Sequence, residues 1–301
     1  MRALTGRQRS AAYALLFAAA FLLALRQTFP VEAVRDRLVL EAAAQGWHAK
    51  VVEVAPAGLL GIRLGGLALE SRDGTRLALD DLRATLRIWP LLLGRRGVDF
   101  DARLLGGRVR GLVEQGGSAR RLVAEVRDLD LVKATALRRA IGLDLAGTLA
   151  GDLDVTLDLR EPARSSGSLQ LRVERAGVLG GQLQLPSFGG ALTVPRAELG
   201  ALLAQAAVRD GKASFEKLEA RSADLELVGE GIQVTLQPRL AASPVFGKAR
   251  LQLKEGFWER SGSPALRGVA ELALAQARGR DGSYHFQIFG TLAQPQARGA
   301  P

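Results

Sequence analysis

The chain has 301 residues, 48% hydrophobic and 24% charged, which is enough apolar material for a core and argues against global disorder. Its formal charge of +10 rests on arginine, since six of the 41 basic residues are lysine, and the arginines are interleaved with acids along the chain. No basic run alternates with stacking aromatics, so nucleic acid is not expected as a partner. A mild attraction to anionic lipid headgroups is compatible with the charge. The absence of cysteine removes thiol nucleophiles, cysteine zinc sites and disulfides.

Arg2, Arg7 and Arg9 precede an unbroken apolar run over 11–25 (AAYALLFAAAFLLAL), and Arg26 closes it. Such a run rises about 22 Å as a helix, short of a ~30 Å hydrocarbon core. Ser10 and residues 27–29 extend it, and the flanking arginines can snorkel. The run reads as an uncleaved signal anchor, with Ala11, Leu15, Phe17, Phe21 and Leu25 among its membrane-facing residues. A cleaved signal peptide is the competing reading, but Leu-Ala-Leu-Arg-Gln offers no small-x-small site. The basic N-terminus favours a cytoplasmic tail with the bulk in the periplasm, that is, a single-pass inner-membrane protein.

Pro30, with Glu32 in the first turn and Gly46 past the end, predicts an amphipathic helix carrying Val31, Val34, Leu38 and Ala42. From Val51 onward the hydrophobic period becomes two. In 149–160 (LAGDLDVTLDLR), Leu149, Leu153, Val155, Leu157 and Leu159 alternate with Asp152, Asp154, Thr156, Asp158 and Arg160. One face of that strand is aliphatic and the other polar. The same alternation recurs in 98–104, 169–174, 232–236, 249–254 and 284–288.

Asp73-Gly74, Asp210-Gly211 and Asp281-Gly282 read as hairpin dipeptides. Gly106-Gly107, Gly116-Gly117, Gly180-Gly181 and Gly189-Gly190 read as further turns. Two more helices are predicted, over 131–141 and over 195–208, the latter opened by Pro195 with Glu198 in its first turn. The expected architecture is therefore mainly β: about twelve to sixteen strands in an antiparallel meander, with two or three short covering helices. So few helices cannot cover so many strands. The apolar faces must meet each other, as a sandwich or a sheet curled on itself, or must line a groove. The organisation read from the chain is a tail and anchor over 1–29, a helix with a first β lobe over 30–160, and a second lobe of the same periplasmic domain over 161–301.

No constellation carries chemistry. His48 follows Trp47, while His285 sits between Tyr284 and Phe286 on a polar strand face; neither shows an acidic residue at metal-ligand or triad spacing. Asp80-Asp81, Asp99/Asp101, Asp128/Asp130 and Asp152/Asp154 place carboxylates together, as any solvated strand face does, and no EF-hand pattern accompanies them. Gly229-x-Gly231 lies between two strands as a turn or bulge, and no phosphate loop or nucleophile elbow is present. No enzyme activity, metal or cofactor is expected. What remains is an aliphatic face, either a filled core or a groove lined by Leu153, Val155, Leu157, Leu169, Leu171, Val173, Leu251 and Leu253.

The layout resembles the protein N family of the bacterial type II secretion system, in its δ-proteobacterial-type branch. The resemblance rests on 56–66 (PAGLLGIRLGG), 86–92 (LRIWPLL), a helix expected over 196–206, 211–231 (GKASFEKLEARSADLELVGEG) and 281–295 (DGSYHFQIFGTLAQP). It implies a non-catalytic bitopic inner-membrane protein with other secretion components as partners, acting in assembly or support of the machinery. The same layout is similar to AsmA-like and TamB-like proteins, which implies lipid acyl chains as the partner of an apolar β groove. A strand spacing of about 4.8 Å gives fifteen strands a reach of roughly 70 Å, so a lipid route between membranes needs partners. A periplasmic glycan-processing enzyme requires a carboxylate pair in a cleft, for which the sequence gives no sign.

Overall fold

The computed structural model describes residues 31–44, 46–58, 60–71, 76–135, 137–138, 142–158, 160–185, 190–261 and 266–300. The anchor residues Ala11, Leu15, Phe17, Phe21 and Leu25 lie outside them, as does Asp73-Gly74. Among the described residues no helix is long and apolar enough to cross a membrane.

Fifteen strands form one antiparallel sheet. They are β1 (Trp47–Pro56), β2 (Gly61–Ser71), β3 (Arg76–Leu86), β4 (Arg96–Leu104), β5 (Gly107–Gly116), β6 (Ala119–Asp130), β7 (Leu143–Asp158) and β8 (Ser166–Leu185). They continue with β9 (Gly190–Val194), β10 (Ala197–Arg209), β11 (Lys212–Arg221), β12 (Leu225–Thr235), β13 (Val245–Leu253), β14 (Tyr284–Gly290) and β15 (Pro295–Gly299). Every neighbour is the next strand in sequence, except that β8 pairs with β10 while the short β9 continues the line of β10 against the far end of β8. The meander expected from the turn spacing is therefore the fold. A single sheet also removes the sandwich alternative. Pairing runs through the 161–167 segment without a break, from Leu143↔Gly181 to Thr156↔Ser166, around a 3-10 turn at Pro162–Arg164.

Two turns follow their chemistry closely. Leu105-Gly106 (φ 52° and 78°) joins β4 to β5, and Asp210-Gly211 (φ 49° and 72°) joins β10 to β11. Both central residues lie in the left-handed region that a type I′ hairpin requires.

The register carries one aliphatic stripe across the sheet. Its rungs include Leu64↔Leu82, Leu82↔Ala102, Ala102↔Val109 and Val109↔Val126 in the first half. In the second half they include Leu153↔Leu169, Leu169↔Ala206, Ala220↔Leu227, Leu227↔Leu251 and Ala249↔Phe286. Phe100 lies opposite Gly111, where an added Cβ would stand 2.1 Å from the Val123 carbonyl oxygen and 2.7 Å from the ring. The glycine leaves the space the ring occupies.

Where alternation slips, the sheet bends. On β1, β2 and β3 the apolar set resets at one level, from Val51 to Val54, from Leu64 to Leu67 and from Leu79 to Leu82, while pairing keeps its register. Asp80-Asp81 and Gly65-Gly66 are the sequence marks of that shared jog. Elsewhere bulges reset the pattern at Asp128 (φ 56°) in β6 and Arg175 (φ 51°) in β8. Gly229-x-Gly231 proves to be a bulge inside β12 rather than a link between two strands, with Gly231 at φ 58°. Each such residue adds twist and curvature. The sheet curls at β11, where Cα atoms of β10 and β12 approach within 8 Å, although flat strands two apart stand about 9.6 Å apart.

The cover is sparse. Helix α1 (Val31–Ala44) lays Val31, Val34 and Leu38 on Val54, Leu64 and Leu67, as its spacing predicts. Val39 and Leu40 point outward, so it is amphipathic only in part. A five-residue helix, α2 (Ile88–Leu92), fills the β3–β4 connection. The β13–β14 connection contributes α3 (Phe257–Arg260), whose Phe257 and Trp258 pack on Ala197, Leu225 and Leu251, and α4 (Leu266–Ala273). A third small cluster gathers Ile232, Val234 and Val245.

Several expectations fail. The helix predicted over 195–208, which the family resemblance also implied over 196–206, is β10. Its Ala-rich composition suits a helix, yet Leu202, Ala204, Ala206 and Val208 alternate, and both edges pair, with β8 and with β11. Tertiary pairing overrides propensity there. The helix expected over 131–141, by contrast, is there in part: a 3-10 turn at Leu131–Lys133 is followed by helical Thr135, Leu137 and Arg138 among the described residues. Gly180-Gly181 is not a turn but part of β8, where an added Cβ at Gly181 would stand 2.4 Å from the Gly142 carbonyl oxygen.

Val155 is 8% exposed in the middle of the stripe. Val155→Asp puts an unpaired carboxylate there and should lower the unfolding free energy by about 3 kcal/mol. The check is a urea melt of the full chain; an unchanged midpoint would mean that Val155 does not face the apolar side.

Candidate functional site: an uncovered aliphatic face

The eight residues singled out as groove liners share the stripe. Leu153 opposes Leu169, Gly151 opposes Leu171 and Leu149 opposes Val173 across β7 and β8, while Leu251 and Leu253 oppose Leu227 and Leu225 across β12 and β13. The two groups lie on one face but far apart in the strand order, so they do not converge on one pocket. Val155 and Val173 are buried, at 8% and 7% exposed. Leu153, Leu157, Leu169, Leu171, Leu251 and Leu253 are only half-buried.

Among the described residues, Leu64 is the one large apolar side chain less than 2% exposed. That is little interior for so many aliphatic residues. The three apolar clusters lie over β1–β3 and over the β10–β14 region. Between them, β4–β8 bury Ala102, Ala124, Leu129, Val155 and Val173, but these join no comparable cluster among the described residues, and Val113 on β5 is exposed.

The opposite face is a lattice of ion pairs across strands. Arg63 Nε donates to Asp81 Oδ1 at 2.7 Å, Arg121 Nη2 donates to Asp154 at 2.8 Å, and Arg108 makes a two-pronged contact with Asp101. Arg87 bridges Glu114 at 3.1 Å and Asp99 at 3.6 Å. Hydrogen bonds from Arg108 hold Asp101 below the usual carboxylate range, and Arg121 does the same for Asp154. These pairs are largely exposed, so each contributes well under 1 kcal/mol. Their weight is in keeping that face wet and in fixing register. A concavity of about 350 Å³ lies there, among Arg103, Arg108, Arg110, Glu125, Arg127 and Asp128. Arg108 and Arg110 bind Asp101 and Arg127 binds Glu125, so most of its positive charge is already neutralised. One or both members of each carboxylate pair noted in the sequence are thus held: Asp81, Asp99, Asp101 and Asp154 by arginines, and Asp130 by Lys133 and the Val132 N–H. Among the described residues no three His, Asp or Glu groups come together as a metal site.

One cluster has the composition of a hydrolase triad. Ser283 Oγ lies 2.8 and 2.7 Å from the two Asp281 oxygens and 2.8 Å from His285 Nε2. His285 therefore does have an acidic partner, Asp281 at 3.5 Å, which the sequence reading missed because it weighed strand spacing and not the turn. A working triad needs the carboxylate on one imidazole nitrogen and the hydroxyl on the other. Here both reach Nε2, and Ser283 is 1% exposed. The cluster instead ties the tight turn Gly279–Ser283, closed by the Gly279 N–H bond to the Ser283 carbonyl at 2.7 Å. His48 lies opposite Glu70 on β2 with no comparable assembly.

Two further carboxylates brace connections. Asp158 accepts from Ser118 Oγ and from the Glu161 and Arg160 amides, and those bonds, Glu161 first, lower its pKa. At Asp224 burial pushes the pKa up, but the Glu198 amide and Arg260 outweigh it and the net direction is down. Arg260 thereby pins α3, and with it the Phe257–Trp258 plug, to the β11–β12 turn.

No family model, curated protein or solved structure matches the chain.

The Asp281 carboxyl is lowered from the ordinary 3.8 to about 2, chiefly by the Ser283 hydroxyl and amide. A depressed folded-state pKa adds stability that is complete above the unfolded value and lost as pH falls through about 2. Asp281→Asn should therefore be less stable than wild type at neutral pH, with the difference shrinking as pH drops below 3.8. Thermal melts across that window check the sign.

Proposed function

We propose that the protein is a non-catalytic, single-pass inner-membrane component of the type II secretion system, whose periplasmic sheet acts by contact in assembly or support of the machinery. The single observation behind a contact role is the aliphatic face of β4–β8, whose leucines are mostly half-buried and which, among the described residues, forms no cluster like those over β1–β3 and β10–β14. An apolar surface of that extent is a binding surface or an aggregation hazard, and a membrane-tethered protein keeps it for a partner. The secretion setting is supported by the resemblance of the named segments and the anchor-like run 11–25.

A second reading, lipid handling of the AsmA-like kind, is favoured by the chemistry of the same face. Protein–protein hot spots are rich in Trp, Tyr and Arg. The stripe is mostly Leu, Val, Ala and Gly, with Phe100 and Phe286 as its named aromatics, and the whole chain is 5% aromatic. Acyl chains ask only for aliphatic surface and a path along it. The two readings are compatible if a secretion component seats lipid where it meets the machine.

The deciding experiment is a deletion strain of the source bacterium, following a hydrolase normally released from the cell. The secretion reading expects that hydrolase to accumulate in the periplasm, with rescue by the full chain and no rescue by a copy lacking residues 1–29. Normal release with altered outer-membrane permeability or lipid content selects the lipid reading and rejects the first.

A further inference from the structure

The β3–β4 connection is built as a protruding apolar knob. Arg87 leaves β3, α2 makes one turn, and Gly94 (φ 71°) closes it. The turn is satisfied internally: the Leu93 and Arg95 amides donate to the Pro90 carbonyl at 3.1 and 2.8 Å, and Gly94 donates to Leu91 at 3.0 Å. Pro90 rests on Gly97, where even a Cβ would stand 3.2 Å from its ring. This rigid base holds outward the side chains that a soluble loop hides. Trp89 is 79% exposed, Leu93 75% and Leu92 70%, and Ile88 and Leu91 are exposed as well. The adjacent β1–β2 turn adds exposed Leu60, whose carbonyl accepts from the Leu86 amide at 2.9 Å.

The knob has a cationic rim and a defined place in the fold. Arg95 and Arg96 flank it and form no ion pair among the described residues. Helix α1 runs through Gly46 into Trp47, which pairs with Ser71 at one end of the sheet. Arg35 Nη2 reaches the Val52 carbonyl at 3.4 Å, so Val31 lies toward the other end, where Pro56 pairs with Ile62 and Leu86 with Val98. That is the end from which α2 projects. The 30 residues before Val31, with the apolar run 11–25, therefore join the fold on the knob's side.

We propose that α2 with Leu60 is a membrane-docking knob, which seats Trp89, Leu92 and Leu93 at the headgroup–acyl boundary of an anionic bilayer. It rests on the reading of 11–25 as an anchor. A large indole among leucines suits that boundary, and arginines beside it meet anionic headgroups. A second contact beside the tether would fix the sheet's orientation on the membrane and aim its strands away from it.

The absence of cysteine supplies the test. Leu92→Cys and, at the opposite end of the strands, Val132→Cys each give the full chain a unique thiol on an exposed side chain for a polarity-sensitive fluorophore. The labelled chains are reconstituted into vesicles of phosphatidylethanolamine and phosphatidylglycerol containing a brominated lipid, and flotation is read in parallel. The proposal expects both chains to float, the probe at Leu92 to lose most of its emission to the brominated lipid, and the probe at Val132 to remain quenchable by aqueous iodide. Flotation without lipid quenching at Leu92, or equal lipid quenching at both sites, overturns the knob and leaves the anchor standing. Failure to float overturns the anchor and the knob together.

Discussion

A β-sheet with one aliphatic face must put that face somewhere, and the described residues form no second layer to receive it. Fourteen strands stand in line, at about 4.8 Å each some 60 Å across, with β9 extending the line of β10. Each backbone ladder is satisfied by its neighbours, so the sheet holds itself together without a core in the ordinary sense. The apolar side is then served by three expedients: α1 at one end, the 254–277 connection near the other, and curvature in between. Bulges at Asp128, Arg175 and Gly231 and the shared jog in β1–β3 supply the curvature.

The polar face answers the same constraint from outside. Arginine paired with aspartate across strands is a surface that water accepts and that a second sheet does not. It discourages face-to-face stacking of this sheet with another copy of itself, while leaving the aliphatic side as the one adhesive surface. Bracing carboxylates are few and local, two of them buried (Asp158 and Asp224) and one exposed (Asp281). Asp158 holds the β7–β8 connection, Asp224 holds α3, and Asp281 holds the turn before β14. All three are braces at the ends of strands, where a meander is weakest.

Much of this was legible in the sequence because a period of two is hard to disguise. The alternation in β4, β7 and β13 gave strand, face and neighbour type at once, and Asp210-Gly211 gave its hairpin. The failures have physical causes. In β10, Ala and Leu satisfy helical spacing as well as strand alternation, and only pairing on both edges decides between them. A bulge changes the parity of everything after it, so Gly229-x-Gly231 reads from the sequence as a turn or bulge between two strands, whereas the bulge lies within β12. Liner residues could be assigned to a face from their own strands, but β7–β8 and β12–β13 prove well separated along the sheet. The exposure of Trp89, Leu92 and Leu93 left no mark in the sequence, where Ile-Trp-Pro-Leu-Leu reads as one more apolar turn.

The central claim is that the aliphatic face of β4–β8 is a contact surface rather than a filled core. The deletion strain carrying the full chain with Leu153→Gln/Leu169→Gln, set beside the same strain carrying the unaltered chain, tests it directly. The account predicts a variant that still melts cooperatively yet leaves the hydrolase in the periplasm. Full release by that folded variant would contradict it.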